Sequence, residues 1–433
     1  GAVGYSKVKN DFAATILTTG CGATNALTGL LDAWQDNCPI FFISGNVKSK
    51  ETSFGSQASL RQFGVQEANI IDIVKPLTKY SVVIDDPETI LFHLQKAAYL
   101  AKDKRSGPVW LDIPMDIQGA LVDPKKLKFF NLPKQKKIKP KYIDKLKIEL
   151  NSSKRPILIV GNGVRLGSAI KELKFFVEKN KIPFVVSYLS VDILPSNHPQ
   201  YIGKIGIKGE RGANFSLQNS DLIISVGCRL SVALTGFEYK QFGRDAKLFV
   251  VDIDKEEHKK NTVKIDYLIN SDAKTFFNVF NNEGFNFSKW NKQCILWNSK
   301  WPVCDPKYLK SKGLINKYAF IDRMHIYLKH NSIVVSDAGS SYYVTSQSFK
   351  PIKKQRYITS GAQADMGFSL PAAIGAAFAN KKSMIAAITG DGSFQMNIQE
   401  LQTLVYYQLP IKLIVWNNDG YLSIRTTQNK FFS

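Results

Sequence analysis

The stretch 385-IAAITGDGSFQMNIQELQTLVYYQLPIKLIVWNNDGY-421 constrains this chain more than any other. IAAIT reads as a buried strand that breaks at Gly390-Asp391-Gly392, and after a helical segment KLIVW reads as a second strand that breaks at Asn417-Asn418-Asp419-Gly420. A crossover helix between two parallel strands brings their C-terminal ends side by side, so the two turns are predicted to meet where open α/β sheets bind ligands. Asp391 and Asn418 offer hard side-chain oxygens and Gly420 a backbone carbonyl, a set that suits Mg²⁺ or Ca²⁺ completing its shell with water and phosphate. The flanking Gly390 and Gly392 let the backbone approach an anion, and the N–H groups from Gly392 and Ser393 onward open a helix whose positive end favours phosphate. The expected ligand is a diphosphate bridged through a metal. Each motif alone is also an ordinary turn, because Gly, Asn and Asp dominate turns. The pairing carries the reading: GDG at one strand end, 24 residues, then NN at the next.

At 433 residues the chain exceeds one core, and two or three domains are expected. No apolar run reaches the roughly 18 residues of a membrane span, so no membrane association is expected. The five cysteines form no CxxC, which fits reduced thiols in a cytoplasmic protein and argues against zinc. A net charge of +22 raises nucleic-acid binding. The lysines are dispersed, however, apart from the run 134-KQKKIKPKYIDKLK-147, and no reading element accompanies them, so no nucleic-acid partner is expected. A first residue of Gly1 and an end at Phe431-Phe432-Ser433 read as cuts through a larger protein.

Apolar strands alternate with helical stretches from end to end, which predicts an α/β chain of three doubly wound parallel-sheet domains. The first covers 1–122, a Lys- and Pro-rich linker follows at 123–140, the second covers 141–285, a further linker 286–312, and the last domain 313–433. The spacing of GDG and NN is the pattern of thiamin-diphosphate enzymes, and the chain resembles the acetolactate synthase branch of that family. TTGCGATNALTGLLDAW and GPVWLDIPMDIQ are similar to parts of its pyrimidine-binding domain. The resemblance implies an activating glutamate, which falls a few residues before Gly1. It also places Gln66, in 61-RQFGVQEANIIDIVKPLTKY-80, on a loop that approaches substrate from a partner subunit, with Glu67 open to reading as a polar helix start.

In the middle domain PILIVGNGVRLG carries a loose glycine pattern that fits a dinucleotide or tight strand–helix packing. No acid ends the second strand, IPFVVSY, as a standard NAD site requires. Residues 203–236 and FVVDIDKEEHKKN are similar to the FAD-bearing middle domain of acetolactate synthases, with Gly209, Arg229 and Asp252 on matching positions. Ser231, Val232 and Ala233 replace that family's acidic pair and second arginine. FAD is expected as a structural or vestigial ligand.

In the last domain the resemblance gives Met366 the place of the large apolar side chain that bends the cofactor. It gives the Ala364 carbonyl an aminopyrimidine contact, and Ser340 and Ser341 contacts to the diphosphate. The implied activity is Mg²⁺-dependent decarboxylation of a 2-oxo acid, pyruvate first, with transfer of the acyl group to a second carbonyl. The implied assembly is a homodimer or higher with shared sites. After NN the sequence departs, with Thr427 where acetolactate synthases carry a tryptophan that shapes the second-substrate pocket. A carboligase acting on a nucleotide keto sugar, a simple decarboxylase and a non-catalytic paralogue therefore stay open, with an NAD dehydrogenase behind them.

Overall fold

The computed structural model describes residues 1–56, 58–133, 140–280, 283–352 and 354–432. They form three all-parallel sheets. The first holds β1 (Ala13–Leu17), β2 (Ile40–Asn46), β3 (Tyr80–Val83) and β4 (Val109–Pro114) in the order β1-β2-β4-β3. The second holds β5 (Pro156–Val160), β6 (Phe184–Val186), β7 (Tyr201–Lys204), β8 (Leu222–Val226), β9 (Lys247–Asp252) and β10 (Tyr267–Asn270), ordered β10-β9-β8-β5-β6-β7. In the third, β11 (Ile333–Ser336), β12 (Arg356–Ile358), β13 (Ile385–Gly390) and β14 (Ile411–Trp416) run β12-β11-β13-β14.

Strands β5 and β8 are buried at every position, as continuous apolar runs covered by helices on both faces should be. The sequence reading did not anticipate β3, β7, β10 or β12. All four are edge strands of three or four residues. An edge strand needs less burial than a central one, so YSVV or RYI carries too short an apolar signal to stand out.

The second expected linker is overturned in part. Ser288–Lys300 is a helix that belongs to the middle domain, burying Trp290 and Cys294 and setting Trp297 against Phe215 at 4.9 Å. Its Trp290, Cys294 and Trp297 recur at helical spacing, which the Asn- and Lys-rich composition around them obscured. Of the lysine-rich run, residues 134–139 lie outside the described residues.

The first and third domains pack directly on each other. Helix Ala2–Lys9 lies on helix Ser369–Ala379 so closely that a Cβ on Gly375 would stand 1.9 Å from the Gly1 carbonyl oxygen. Lys7 fastens the joint, donating to Asp36 at 2.6 Å and to the Thr359 carbonyl at 2.7 Å. Among the described residues, no helix is long and apolar enough to cross a membrane.

Candidate active site

Gly390 pairs with Trp416 at the C-terminal ends of β13 and β14, which brings the GDG and NNDG turns together as their spacing predicts. The Asp391 carboxylate lies between them. One oxygen accepts N–H bonds from Asn418 (3.1 Å) and Gly420 (2.8 Å), and the other accepts from Gly392 (2.9 Å). Partial burial pushes this carboxyl up, but the bonds from Gly420, Asn418 and Gly392 outweigh it and hold the group below the usual aspartate range. Asp391 is therefore a fixed carboxylate with lone pairs to spare. The chain order of the third sheet reverses between β11 and β13, so Asp391 also flanks the crevice of a doubly wound sheet.

A cavity of about 80 Å³ opens here, lined by Ser340, Met366, Asp391, Gly392, Ser393 and Asn418 among others. That volume is of the order of a phosphoryl group, and Met366, 37% exposed, is part of its lining. Gly390 lines the same cavity. Ala364, in the left-handed conformation at φ 56°, and Gly367, at φ 83°, bend the chain on either side of Met366.

Asp337, buried at the end of β11, holds this loop. Its carboxylate accepts from the N–H groups of Gly367 and Ser369, both at 2.9 Å, and from the Thr389 hydroxyl at 3.2 Å. Ser340 faces the cavity, whereas Ser341 is buried and donates its hydroxyl to the Ala338 carbonyl at 2.7 Å. Of the two serines, only Ser340 is presented to a ligand. Thr427 lies in helix Leu422–Phe431 with its hydroxyl on the Ser423 carbonyl.

Sequence reasoning missed two groups here. Asp337 positions the Met366 loop, and Lys317 reaches Ser340 from a separate helix, donating to its hydroxyl at 2.8 Å. Burial holds the Lys317 ammonium below the ordinary lysine value, with Asp391 pulling the other way. The available signal for Asp337 was an acid at a strand end directly before a helix. For Lys317 it was a lysine at the first position of a helix, where the dipole disfavours a cation.

Gln66 does not line this cavity. It is exposed on the first domain at φ 62°, and its carbonyl lies so near Gly20 that a Cβ there would approach within 1.9 Å. Glu67 is the buried organiser of that loop. Its carboxylate accepts from the Ser53 N–H and hydroxyl, both at 2.6 Å, from Phe63 N–H at 2.7 Å and from Gly64 N–H at 3.3 Å. Burial raises the Glu67 carboxyl, and these bonds more than reverse it. Exposed Leu60, Phe63 and Val65 surround Gln66.

At the switch between β5 and β8 the middle domain forms one wall of a cavity of about 340 Å³, to which the first domain adds Lys7, Asp36 and Arg105 and the third adds Arg356 and Thr359. Arg229 and Asp252 both line it. Gly209 does not; it lines a different cavity, against helix Arg211–Gln218. The glycines at the strand ends serve packing, since a Cβ on Gly161 would come within 2.0 Å of the Gly227 carbonyl oxygen. The polar groups touch one another, although among the described residues the buried Arg229 Nε and His258 Nδ1 find no hydrogen-bond partner. Asp252 accepts from the Asp254 N–H (2.9 Å) and contacts His258 Nε2 (3.1 Å), and Arg229 pairs with Glu257 at 3.2 Å. Arg105 and Lys260 both reach Glu257 at 2.7 Å. Burial raises the Glu257 carboxyl, but Lys260, Arg229 and Arg105 bring it down to about 2. The three residues expected for FAD do not assemble into one set: Arg229 and Asp252 share this cavity and Gly209 lies outside it.

The third-domain site passes the corresponding test. A fixed carboxylate, an amide oxygen, a nearby backbone carbonyl and a phosphate-sized cavity form a donor set of the kind that Mg²⁺ and a diphosphate use.

Comparison with known proteins finds relatives along the whole chain. Models of thiamine pyrophosphate enzymes match in three parts: the N-terminal TPP binding domain over residues 1–73, the central domain over 143–279 and the C-terminal TPP binding domain over 337–433. The chain is 32% identical to the "Probable acetolactate synthase large subunit" of Methanococcus aeolicus, across 100% of its own length and 74% of that protein. It is also 32% identical to the acetolactate synthase large subunits of Lactococcus lactis subsp. lactis and Buchnera aphidicola subsp. Schizaphis graminum, again over 100% of this chain and over 74% and 75% of theirs.

Proposed function

The chain belongs to the thiamine pyrophosphate enzymes of the acetolactate synthase large-subunit type, and from that premise we propose how its residues divide the work of decarboxylating a 2-oxo acid and ligating the product to a second carbonyl. The observation that carries the proposal is the Asp391 carboxylate held by the N–H groups of Asn418 and Gly420, which fuses the two motifs into one anchor. Asp391, the Asn418 side chain and the Gly420 carbonyl would hold Mg²⁺. Ser340 and the N–H groups around Gly390, Gly392 and Ser393 would face the diphosphate. Thiamin diphosphate, when bound, supplies an electron sink for loss of CO₂ from the 2-oxo acid.

The protein's own contribution is orientation and exclusion of water. Met366, on a loop fixed by Asp337, stands in the cavity lining where it would brace the ligand, with the Ala364 carbonyl beside it as a hydrogen-bond acceptor. Gln66 would meet substrate in the site of a second copy. The exposed Leu60, Phe63 and Val65 around it form the apolar rim such a homodimer would cover. FAD has no part in these steps. Its place would be the inter-domain cavity at Arg229 and Asp252, beside Glu257 and His258, away from Asp391.

The test is product analysis of the protein supplied with pyruvate, Mg²⁺ and thiamin diphosphate. Acetolactate is the expected product. Acetaldehyde alone would make the chain a decarboxylase, turnover only after addition of a keto sugar would move the acceptor assignment, and no turnover with any of these would overturn the proposal.

A further inference from the structure

Lys317 is the first residue of helix Lys317–Met324, capped by Asn316, whose side chain accepts from the Tyr318 N–H at 2.9 Å and the Ala319 N–H at 3.4 Å. The helix end is thus satisfied without Lys317. A cation at this position opposes the helix dipole and costs stability instead of adding it. The ammonium is nevertheless drawn inward, donating to Ser340 at 2.8 Å and lying 5.5 Å from the centre of the Trp416 ring. Trp416 ends β14 and Ser340 lines the cavity beside Asp391, so the charge stands one hydrogen bond behind a residue of the cavity wall. Among the described residues no carboxylate forms a salt bridge with it, and the Ser340 hydroxyl takes one of the three N–H bonds it can donate. Asp391, the nearby acid, already accepts three backbone N–H bonds. A half-buried cation set against a dipole, beside a cavity and without a carboxylate partner, is arranged for an anion that enters from outside.

We propose that Lys317 is a diphosphate-binding residue of this site, its ammonium positioned through Ser340 to neutralise charge that Mg²⁺ at Asp391 and Asn418 leaves uncompensated. The inference rests on the thiamin diphosphate reading above and adds to it a residue from outside both motifs. Its role is in binding, so its test is an affinity.

Calorimetric titration of the protein with thiamin diphosphate in saturating Mg²⁺, for wild type, Lys317→Met, Lys317→Arg and Ser340→Ala, reads it directly. Loss of a charge-assisted hydrogen bond should weaken Lys317→Met by about tenfold or more, with about threefold for Ser340→Ala and near-wild-type binding for Lys317→Arg. Added salt should weaken binding less in Lys317→Met than in wild type. Melting of the ligand-free proteins separates the alternative. If Lys317→Met melts lower but binds thiamin diphosphate as wild type does, the lysine is structural and the proposal is overturned. Should Lys317→Met not fold, wild-type affinity and wild-type salt dependence in Ser340→Ala would overturn it equally. Wild type that takes up no thiamin diphosphate would bring down the reading of the site itself, an outcome distinct from a wild type that binds and a Lys317 variant that matches it.

Discussion

The third and second domains present the same device, a crevice at the reversal of strand order in a parallel sheet, and use it in opposite ways. In the third, Asp391 is fixed by three backbone N–H groups that leave its charge in place, and a cavity opens in front of it. In the second, Arg229 and Lys260, joined by Arg105 from the first domain, converge on Glu257, and Asp252 is joined to His258. Backbone N–H groups hold a carboxylate without neutralising it, whereas side-chain cations neutralise it and close the account. Fold alone therefore does not make a site; uncompensated charge does. Polar changes in the third domain should register in ligand binding, and those in the second in stability.

The largest effect should come from Asp391→Asn. It removes the charge from the metal anchor and is expected to weaken Mg²⁺-dependent thiamin diphosphate binding by at least about a hundredfold with little change in melting temperature, measured by calorimetry and thermal melts. A large loss of stability with intact binding would break the contrast between the two crevices.

Glu257→Gln is the counterpart. It leaves Arg229, Arg105 and Lys260 without their shared carboxylate and should cost about 2 kcal/mol in denaturant unfolding, between exposed and buried ion pairs, while thiamin diphosphate affinity stays unchanged.

A pH measurement sharpens the same point. Lys204 is fully buried, donating to Ser346 at 2.6 Å with its ammonium over Tyr188, and burial lowers it to about 7 from 10.5, with Glu210 pulling upward. Between those values the unfolded chain binds a proton that the folded one refuses, so stability rises with pH across the window. Lys204→Met should flatten that rise, which is worth up to about 1.4 kcal/mol per pH unit, and melting at two pH values within the window reads the difference.

Met366→Ala should have the smallest of these four effects, about fivefold in thiamin diphosphate affinity, because the residue is partly exposed before any ligand covers it. Unchanged affinity would remove Met366 from the site.

Much of this was legible in the sequence, for identifiable reasons. Central strands such as β5, β8 and β13 are buried on both faces, and burial demands the continuous apolar runs that a reader can see. Asp391, Asn418 and Gly420 follow strand ends directly, so knowing the strands located the turns. Elsewhere the signal was weak. The helix Ser288–Lys300 hid within a linker-like composition, and the edge strands asked too little of their residues to mark them. Gln66 and Glu67 are neighbours of similar polarity, and only the fold of the loop turned Glu67 inward and left Gln66 exposed.

What the sequence alone determined is local: three parallel sheets, the breaks that end their strands, and a carboxylate and an amide placed at two adjacent breaks. Backbone geometry carries such residues to their places with little help from the rest of the chain. Tertiary structure decided what depends on distant segments meeting. It turned Ser341 into the protein while Ser340 opens to the cavity, separated Gly209 from Arg229 and Asp252, and paired the middle crevice's charges among themselves. It also brought Lys317 from a helix before β11 onto the hydroxyl of Ser340, which lines the cavity beside Asp391. Packing sets those encounters, and packing is a property of the whole chain that no short stretch encodes.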